Sequence, residues 1–308
     1  MTRRVIIDCD PGTDDAIALW LALASPEIEV PLVTVAGGNA GLASTLGNAS
    51  AIIGLTGQKI PLVAGADRPL LGTFRADVKV HGADGLAGIR LPQGPAATPG
   101  VASDAIRGLL RQAAPGSVTL LGIAAATNLA LALATEPGLA DRVEEIVLMT
   151  GAVGEGNWTP GAEFNAAMDP EALAILLAAG RPTTLVTLEL TAQALVTPDR
   201  IAILRTQGGG CCLAACCDVM EAVPASRRLG FRGHPLHDPC ALAWVVKPDL
   251  FTARDVAVQV ECGSGPGRGR THIDRWGRSG AAPHVRLLET LDADGFFAML
   301  GERLANLP

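Results

Sequence analysis

Apolar positions along the chain follow two patterns that take turns. Short continuous runs with β-branched residues occur at Arg4–Ile7, Val30–Val35, Ile60–Val63, Ser117–Leu121, Glu145–Met149, Thr183–Leu188 and Val256–Val260. Between most of them, apolar residues recur at helical spacing over Asp15–Ala24, Leu42–Leu55, Val101–Ala113, Leu129–Ala134 and Pro170–Ala179. Continuous apolar strands separated by amphipathic helices predict an α/β fold: an open, mostly parallel sheet with helices on both faces. No repeat, linker or boundary interrupts the alternation, so residues 1–308 read as a single domain.

Two stretches leave the pattern. Gly65–Gly100 is rich in Gly and Pro and contains "HGADGLAG"; Gln207–Asp238 carries "CCLAACC" and then "EAVPASRRLGFRGHPLHDPC". Excursions this long inside a compact fold are commonly functional. In open parallel sheets, ligands bind beyond the carboxyl ends of the strands, so the residues that follow each strand sample the site. They are polar here: DCDPGTDD after the first strand, GGNAG after the second, AAATNLA after the fourth, TGAVGEGNWTPGAEFNAAMDP after the fifth.

Composition narrows the picture. With 49% apolar residues but only 3% aromatics and no Tyr, the core must be built from Ala, Leu, Val and Ile, which suits close helix-on-sheet packing. A net charge of -7 without a basic run argues against a nucleic-acid partner. No run approaches the length of a membrane span, and no apolar stretch follows the two arginines of "MTRRVIIDCD", so a cytoplasmic protein is expected. Seven cysteines without a paired CxxC do not make a disulfide framework, and "CCLAACC" reads as a helix rather than a zinc site.

The sharpest signal is "VIIDCDPGTDDAIALWLA", where four of the eight residues from Asp8 to Asp15 are carboxylates. Like charges so close repel unless a cation sits among them. A capping role at the helix opening accounts for one of Asp14 and Asp15, but not for four acids. All-oxygen ligands select a hard cation, calcium or magnesium, and calcium suits a site assembled from distant loops. An EF-hand does not fit: Gly12 comes one residue early and Leu19 stands where the terminal Glu belongs.

"DCDPGTDDAIAL" resembles the amino-terminal signature of the inosine–uridine-preferring nucleoside hydrolases. The likeness continues, in the family's order, through "GGNA", "HGADGL", "TNLALAL", "GNWTPGAEFNAAMDPEA" and "PLHDPCALAWVVKPDLF", with a weaker echo in "GRGRTHID". The resemblance implies a Rossmann-like nucleoside hydrolase fold and calcium-dependent cleavage of the N-glycosidic bond of ribonucleosides, giving ribose and free base. It assigns the calcium to Asp10, Asp15, the carbonyl oxygen of Thr127 and Asp238, with Asp8 outside the ligand set. It assigns the 2′ side of the ribose to Asp14 and Asn39, the 3′-hydroxyl to Asn165, and the 5′-hydroxyl to Asn157 and Glu163. Asp238 contacts the sugar as well, and a homo-oligomer, tetramer or dimer, is implied. The "HDP" histidine is more like that of the broad or pyrimidine-preferring members, the purine-specific ones tending to carry Trp there.

The chemistry asks for such residues. Cleaving an N-ribosidic bond develops positive charge on the sugar and negative charge on the base. A bound cation lowers the pKa of water and an adjacent carboxylate takes its proton; the resemblance gives that role to Asp10. Departure of the base calls for a second group. His237 is the candidate, with orientation of Asp238 as its alternative; His81 is either a base contact or a loop hydrogen-bonding residue. Asp169 reads as a helix cap, while Glu163 and Asn165 are placed on the loop before it. Two departures stand out: "AAA" precedes the TN pair, and no Tyr is available to cover the base.

Two other classes compete. A haloacid-dehalogenase-like phosphotransferase shares DxD after an early strand, but it wants Thr or Val where Gly12 stands and a phosphate-binding Lys in a suggestive motif. A non-catalytic calcium-dependent nucleoside or sugar binder on the same scaffold would be expected to lack Asp10 or His237, and both are present.

Overall fold

The computed structural model describes residues 2–76 and 78–308. The chain begins with β1 (Arg3–Cys9), α1 (Thr13–Leu23), β2 (Ile28–Val35), α2 (Leu42–Leu55), β3 (Leu62–Ala64) and α3 (Ala102–Gln112). It continues through β4 (Val118–Gly122), α4 (Thr127–Thr135), β5 (Val143–Met149), α5 (Phe164–Met168), α6 (Pro170–Leu177) and β6 (Thr183–Val186). Next come α7 (Leu188–Thr191), β7 (Leu195–Val196), α8 (Pro198–Thr206), α9 (Cys211–Ala222), β8 (His234–Pro235) and α10 (Asp238–Val246). It closes with β9 (Phe251–Val260), β10 (Thr271–Asp274), β11 (Val285–Leu291) and α11 (Ala293–Leu304).

Nine strands form one sheet in the order β10-β9-β11-β6-β5-β4-β1-β2-β3. All pairings from β3 to β11 are parallel; β9 runs antiparallel to both β11 and β10. The sheet is thus mostly parallel, as the apolar runs predicted. Why those runs are apolar at every position is visible in β1. Successive side chains point to opposite faces. Val5, Ile7 and Cys9 join one core with Ile17 and Trp20 of α1 and Leu242 of α10, whereas Ile6 joins the other with Ile106 of α3 and Leu129 of α4.

Strand order reverses at β1: the chain moves outward to β2 and β3, then returns to β4 on its other side. The carboxyl ends of β1 and β4 therefore flank the crevice where this topology places ligands.

The sequence did not predict β10, β11, α8 or α11. β11 inserts between β6 and β9, so the last third of the chain extends the sheet rather than forming a separate layer. The predicted strand Thr183–Leu188 stops at Val186, because Thr187 turns into α7. "CCLAACC" is helical in α9; Cys212, Cys216 and Cys217 are core residues, Cys211 is exposed, and all are free thiols. The carboxyl end of the Gln207–Asp238 excursion is tied back to the segment before α8 by a two-stranded ribbon in which Leu195 pairs with Pro235 and Val196 with His234. Among the described residues, no helix is long and apolar enough to cross a membrane.

Candidate active site

The turn between β1 and α1 is held by its own carboxylates. Asp15 stands in the first turn of α1 and reaches back: Oδ1 accepts from the Asp10 amide at 3.1 Å and Oδ2 from the Gly12 amide at 2.9 Å. That is the reciprocal arm of a capping box, so the capping role belongs to Asp15. Asn39, on the loop after β2, ties both acids together. Its amide donates to Asp10 Oδ2 at 2.7 Å, and its Nδ2 donates to the Asp10 carbonyl at 3.2 Å and to Asp15 Oδ2 at 3.0 Å. This approach needs Gly38, where a Cβ would lie 1.9 Å from Asp10 Oδ2. Asp10 Oδ1 is buried with no hydrogen-bond partner.

Asp238 opens α10 and meets α1 from across the crevice. Carboxylate oxygens of Asp14, Asp15 and Asp238 all lie within 4.8 Å of one another. Two helix N-termini favour the negative charge. They do not neutralise it. Burial, reinforced by the neighbouring acids, pushes Asp10 and Asp238 well above the usual carboxylate range. Asp15 is pushed up to about 7 by burial and by Asp14. Burial and mutual repulsion thus favour the protonated acids wherever no cation offsets the charge. An oxygen-only cluster with an unpartnered buried carboxylate oxygen beside it fits a hard divalent cation.

Asp8 lies deeper. Its Oδ1 accepts from Thr34 Oγ1 at 2.6 Å and Asn128 Nδ2 at 2.9 Å, and burial raises its pKa to about 7. It ties β1 to β2 and α4. Thr127 is the first residue of α4; its hydroxyl donates to Asp169 Oδ2 at 2.6 Å. Asp169 caps α6 through Ala172 at 3.1 Å, as its sequence position predicted.

A cavity of about 650 Å³ opens above the cluster. Its walls include Asp14, Asn39, His81, Asn157, Glu163, Asn165, His237 and Asp238, eight residues drawn from five segments of the chain. Asp10, Asp15 and Thr127 do not line it. The placement of two residues needs correcting. Glu163 and Asn165 are not on a loop before the helix: Glu163 is the N-cap of α5, and Asn165 lies within α5. Glu163 accepts from the amides of Asn165, Ala166 and Gly151 at 2.8, 2.9 and 2.9 Å and from Thr150 Oγ1 at 3.2 Å. The cap was hidden in sequence because Asp169, six residues on, explains the next helix. Burial still raises the pKa of Glu163 against these four donors. Asn165 gives Nδ2 to the carbonyls of Met149 and Ile123 at 3.0 and 3.3 Å, and its Oδ1 is buried without a partner. Asn157 Oδ1 accepts from the Phe164 amide at 2.9 Å.

Three histidines also line the cavity. The Thr13 amide donates to His81 Nδ1 at 3.2 Å, which makes Nδ1 an acceptor and leaves the proton on Nε2. Gly12 permits this contact, since a Cβ there would lie 2.6 Å from Nδ1. His237 Nδ1 lies 2.7 Å from Thr191 Oγ1; burial lowers its pKa and the Asp14 charge opposes that. His234 was not foreseen. It is buried on β8, lines the cavity, has an unpartnered Nε2, and burial lowers its pKa to about 4. The signal was available in "HPLH", two histidines three apart beside the HDP motif.

Carboxylates, side-chain amides and histidines gathered in one cavity, over a parallel sheet whose order reverses beneath them, fit a hydrolase of the nucleoside-cleaving class. The chain belongs to the inosine-uridine preferring nucleoside hydrolase family, whose model matches residues 5–298. It is 40% identical over 307 residues to a pyrimidine-specific ribonucleoside hydrolase RihA of Shewanella woodyi, covering 99% of this chain and 98% of that protein. A RihA of Klebsiella pneumoniae is 39% identical over 310 residues, covering 99% of each. Among solved structures, the purine-preferring ribonucleoside hydrolase of Gardnerella vaginalis superposes with a TM-score of 0.90 at 28% identity, covering 98% of each chain. A plant nucleoside hydrolase gives 0.91 at 29% identity, covering 99% of this chain and all of that one.

Proposed function

We propose that this chain, acting as one α/β domain, hydrolyses the N-ribosidic bond of ribonucleosides with calcium as its cofactor, and that it prefers pyrimidine bases. The observation that carries the reading is one cavity lined together by Asp14 and Asp238 of the carboxylate cluster, by Asn39, Asn157 and Asn165, and by His81, His234 and His237. The pyrimidine preference rests on relatives near 40% identity named for that specificity.

Asp15, Asp238 and Asp10 hold the cation, with the Thr127 carbonyl as the further ligand. Asp14 stands close enough to Asp15 and Asp238 to join them. When bound, calcium keeps these acids charged and supplies Lewis acidity toward water. Asp10 takes the proton of the attacking water; its buried, unpartnered Oδ1 suits a proton acceptor. Asp14 and Asn39 hold the 2′ side of the ribose, and Asn165 offers its unpartnered Oδ1 to the 3′-hydroxyl. Asn157 and Glu163 shape the 5′ side. Glu163 does so with both oxygens already engaged, so it acts chiefly by fixing the loop. Asp238 reaches the sugar as well as the metal. His237, oriented by Thr191, assists the departing base, and His81 contacts it.

Ribose release from uridine, cytidine, inosine, adenosine and guanosine tests the reading. The expected result is turnover of uridine and cytidine with kcat/KM at least roughly tenfold above the purines, a margin within reach of pocket contacts. No ribose from any of the five would overturn it. His237→Ala should slow uridine more than p-nitrophenyl riboside, whose leaving group needs no proton; equal losses would remove His237 from the leaving-group role.

A further inference from the structure

We propose that Arg228 is a leaving-group residue, stabilising the negative charge on the departing base, and that Glu189 positions it. The inference rests on the hydrolase reading above and concerns the part of the cavity lined by α9 and the segment that follows it.

Val219, Met220, Val223 and Leu236 give the cavity apolar lining, and Lys79, Arg227 and Arg228 bring cations to it. Arg228 is tied to a regular element: its guanidinium lies 3.7 Å from the Glu189 carboxylate on α7. Glu189 is itself fixed, accepting from the amides of Val153 and Gly154 at 2.8 and 3.0 Å. Two residues further along α7, Thr191 holds His237 at 2.7 Å. One short helix therefore mounts both Arg228 and His237, which line the cavity, and the same helix secures the loop leading to Asn157. Glu189 spends its oxygens on two amides and meets Arg228 at ion-pair distance rather than as a close two-pronged fork. A guanidinium has five N–H donors, so several are left to offer the substrate.

The chemistry gives those donors a use. As water attacks C1′, the C1′–N bond breaks and its electron pair stays with the base nitrogen. The charge spreads over the ring nitrogens and carbonyl oxygens. Asp10 holds the proton from water, and the base gains its own from His237 or solvent, so nucleoside and water become ribose and base. Donors aimed at the base bind it more tightly as this charge grows, which accelerates the step rather than merely tightening the complex. Glu189 lies beside Arg228 and Glu155 also lines the cavity; these acids lower the net charge and leave the guanidinium N–H groups in place.

Steady-state kinetics on uridine and on p-nitrophenyl riboside test the proposal, using wild type, Arg228→Met, Arg228→Lys and Glu189→Gln. Arg228→Met should lower kcat on uridine roughly 10–10²-fold, below the usual cost of a fully enclosed donor because the site is partly open. On p-nitrophenyl riboside, which carries its charge unaided, the loss should stay within about threefold. Arg228→Lys should recover part of the uridine loss, and Glu189→Gln should show a smaller loss with the same substrate bias. Equal losses on both substrates, or no loss on uridine, would overturn the role. Wild-type turnover of uridine reads the hydrolase assignment by itself, so the two failures are distinguishable.

Discussion

At the amino-terminal edge of the sheet, Arg3 of β1 reaches across β4 to two acids of β5, meeting Glu145 at 2.5 Å and Glu144 at 3.2 Å. Glu145 also accepts from Thr184 Oγ1 at 2.6 Å and Trp244 Nε1 at 3.0 Å. At the opposite edge, the same β1 delivers Asp8 and Asp10 into a group of five acids with Asp14, Asp15 and Asp238. No Lys or Arg of the described residues forms an ion pair with any of them. The fold can satisfy a buried carboxylate where its task is structural. Where it withholds the protein cation, burial and mutual repulsion push the acids toward protonation. Such a site is completed by something from solution.

The comparison can be broken from either edge. Chelation should have the largest effect: complete loss of nucleoside turnover, restored by added calcium, with a fall in melting temperature because the cation binds only the folded state. A chelated enzyme that stayed fully active would dissolve the contrast. Asp10→Asn should lower kcat roughly 10²–10⁴-fold, the range of a lost general base, with circular dichroism unchanged. Residual turnover near wild type would move the base elsewhere.

His234 sharpens the carboxyl edge by pH. Its pKa is about 4 in the folded chain and near the ordinary 6.5 when unfolded. The unfolded chain therefore takes up the proton first as pH falls. Stability is full above pH 6.5 and is lost toward pH 4, by up to roughly 3 kcal/mol from this residue. Denaturant unfolding at pH 7 and pH 5 should show that slope, flattened in His234→Leu; an unchanged slope would mean His234 is not the group responsible. At the amino edge, Arg3→Met should cost about 1–3 kcal/mol of stability, since it strands Glu145, while kcat/KM stays within about twofold. A comparable loss of turnover would show that the two edges are coupled.

How far sequence reached follows the same physics. The β1–α1 turn was legible because Asp8, Asp10, Asp14 and Asp15 are adjacent in sequence and bracketed by apolar runs. Asp238 came from its motif alone, since nothing in spacing says that α10 meets α1. Asn39 was read as a sugar contact; its bonds to Asp10 and Asp15 depend on the approach that Gly38 allows, and such proximity leaves no periodic trace. Glu163 was read for its charge, whereas the structure uses that charge to gather three amides and a hydroxyl. β11 escaped notice because its place in the sheet is set by neighbours distant in sequence, β6 and β9.

Calcium titration of metal-free wild type and Asp238→Asn, followed by calorimetry, tests the central claim most directly. About one ion per wild-type chain is expected, with binding abolished or severely weakened in the folded variant. A wild-type chain that takes up no divalent cation, or a variant that binds it equally well, would contradict the account.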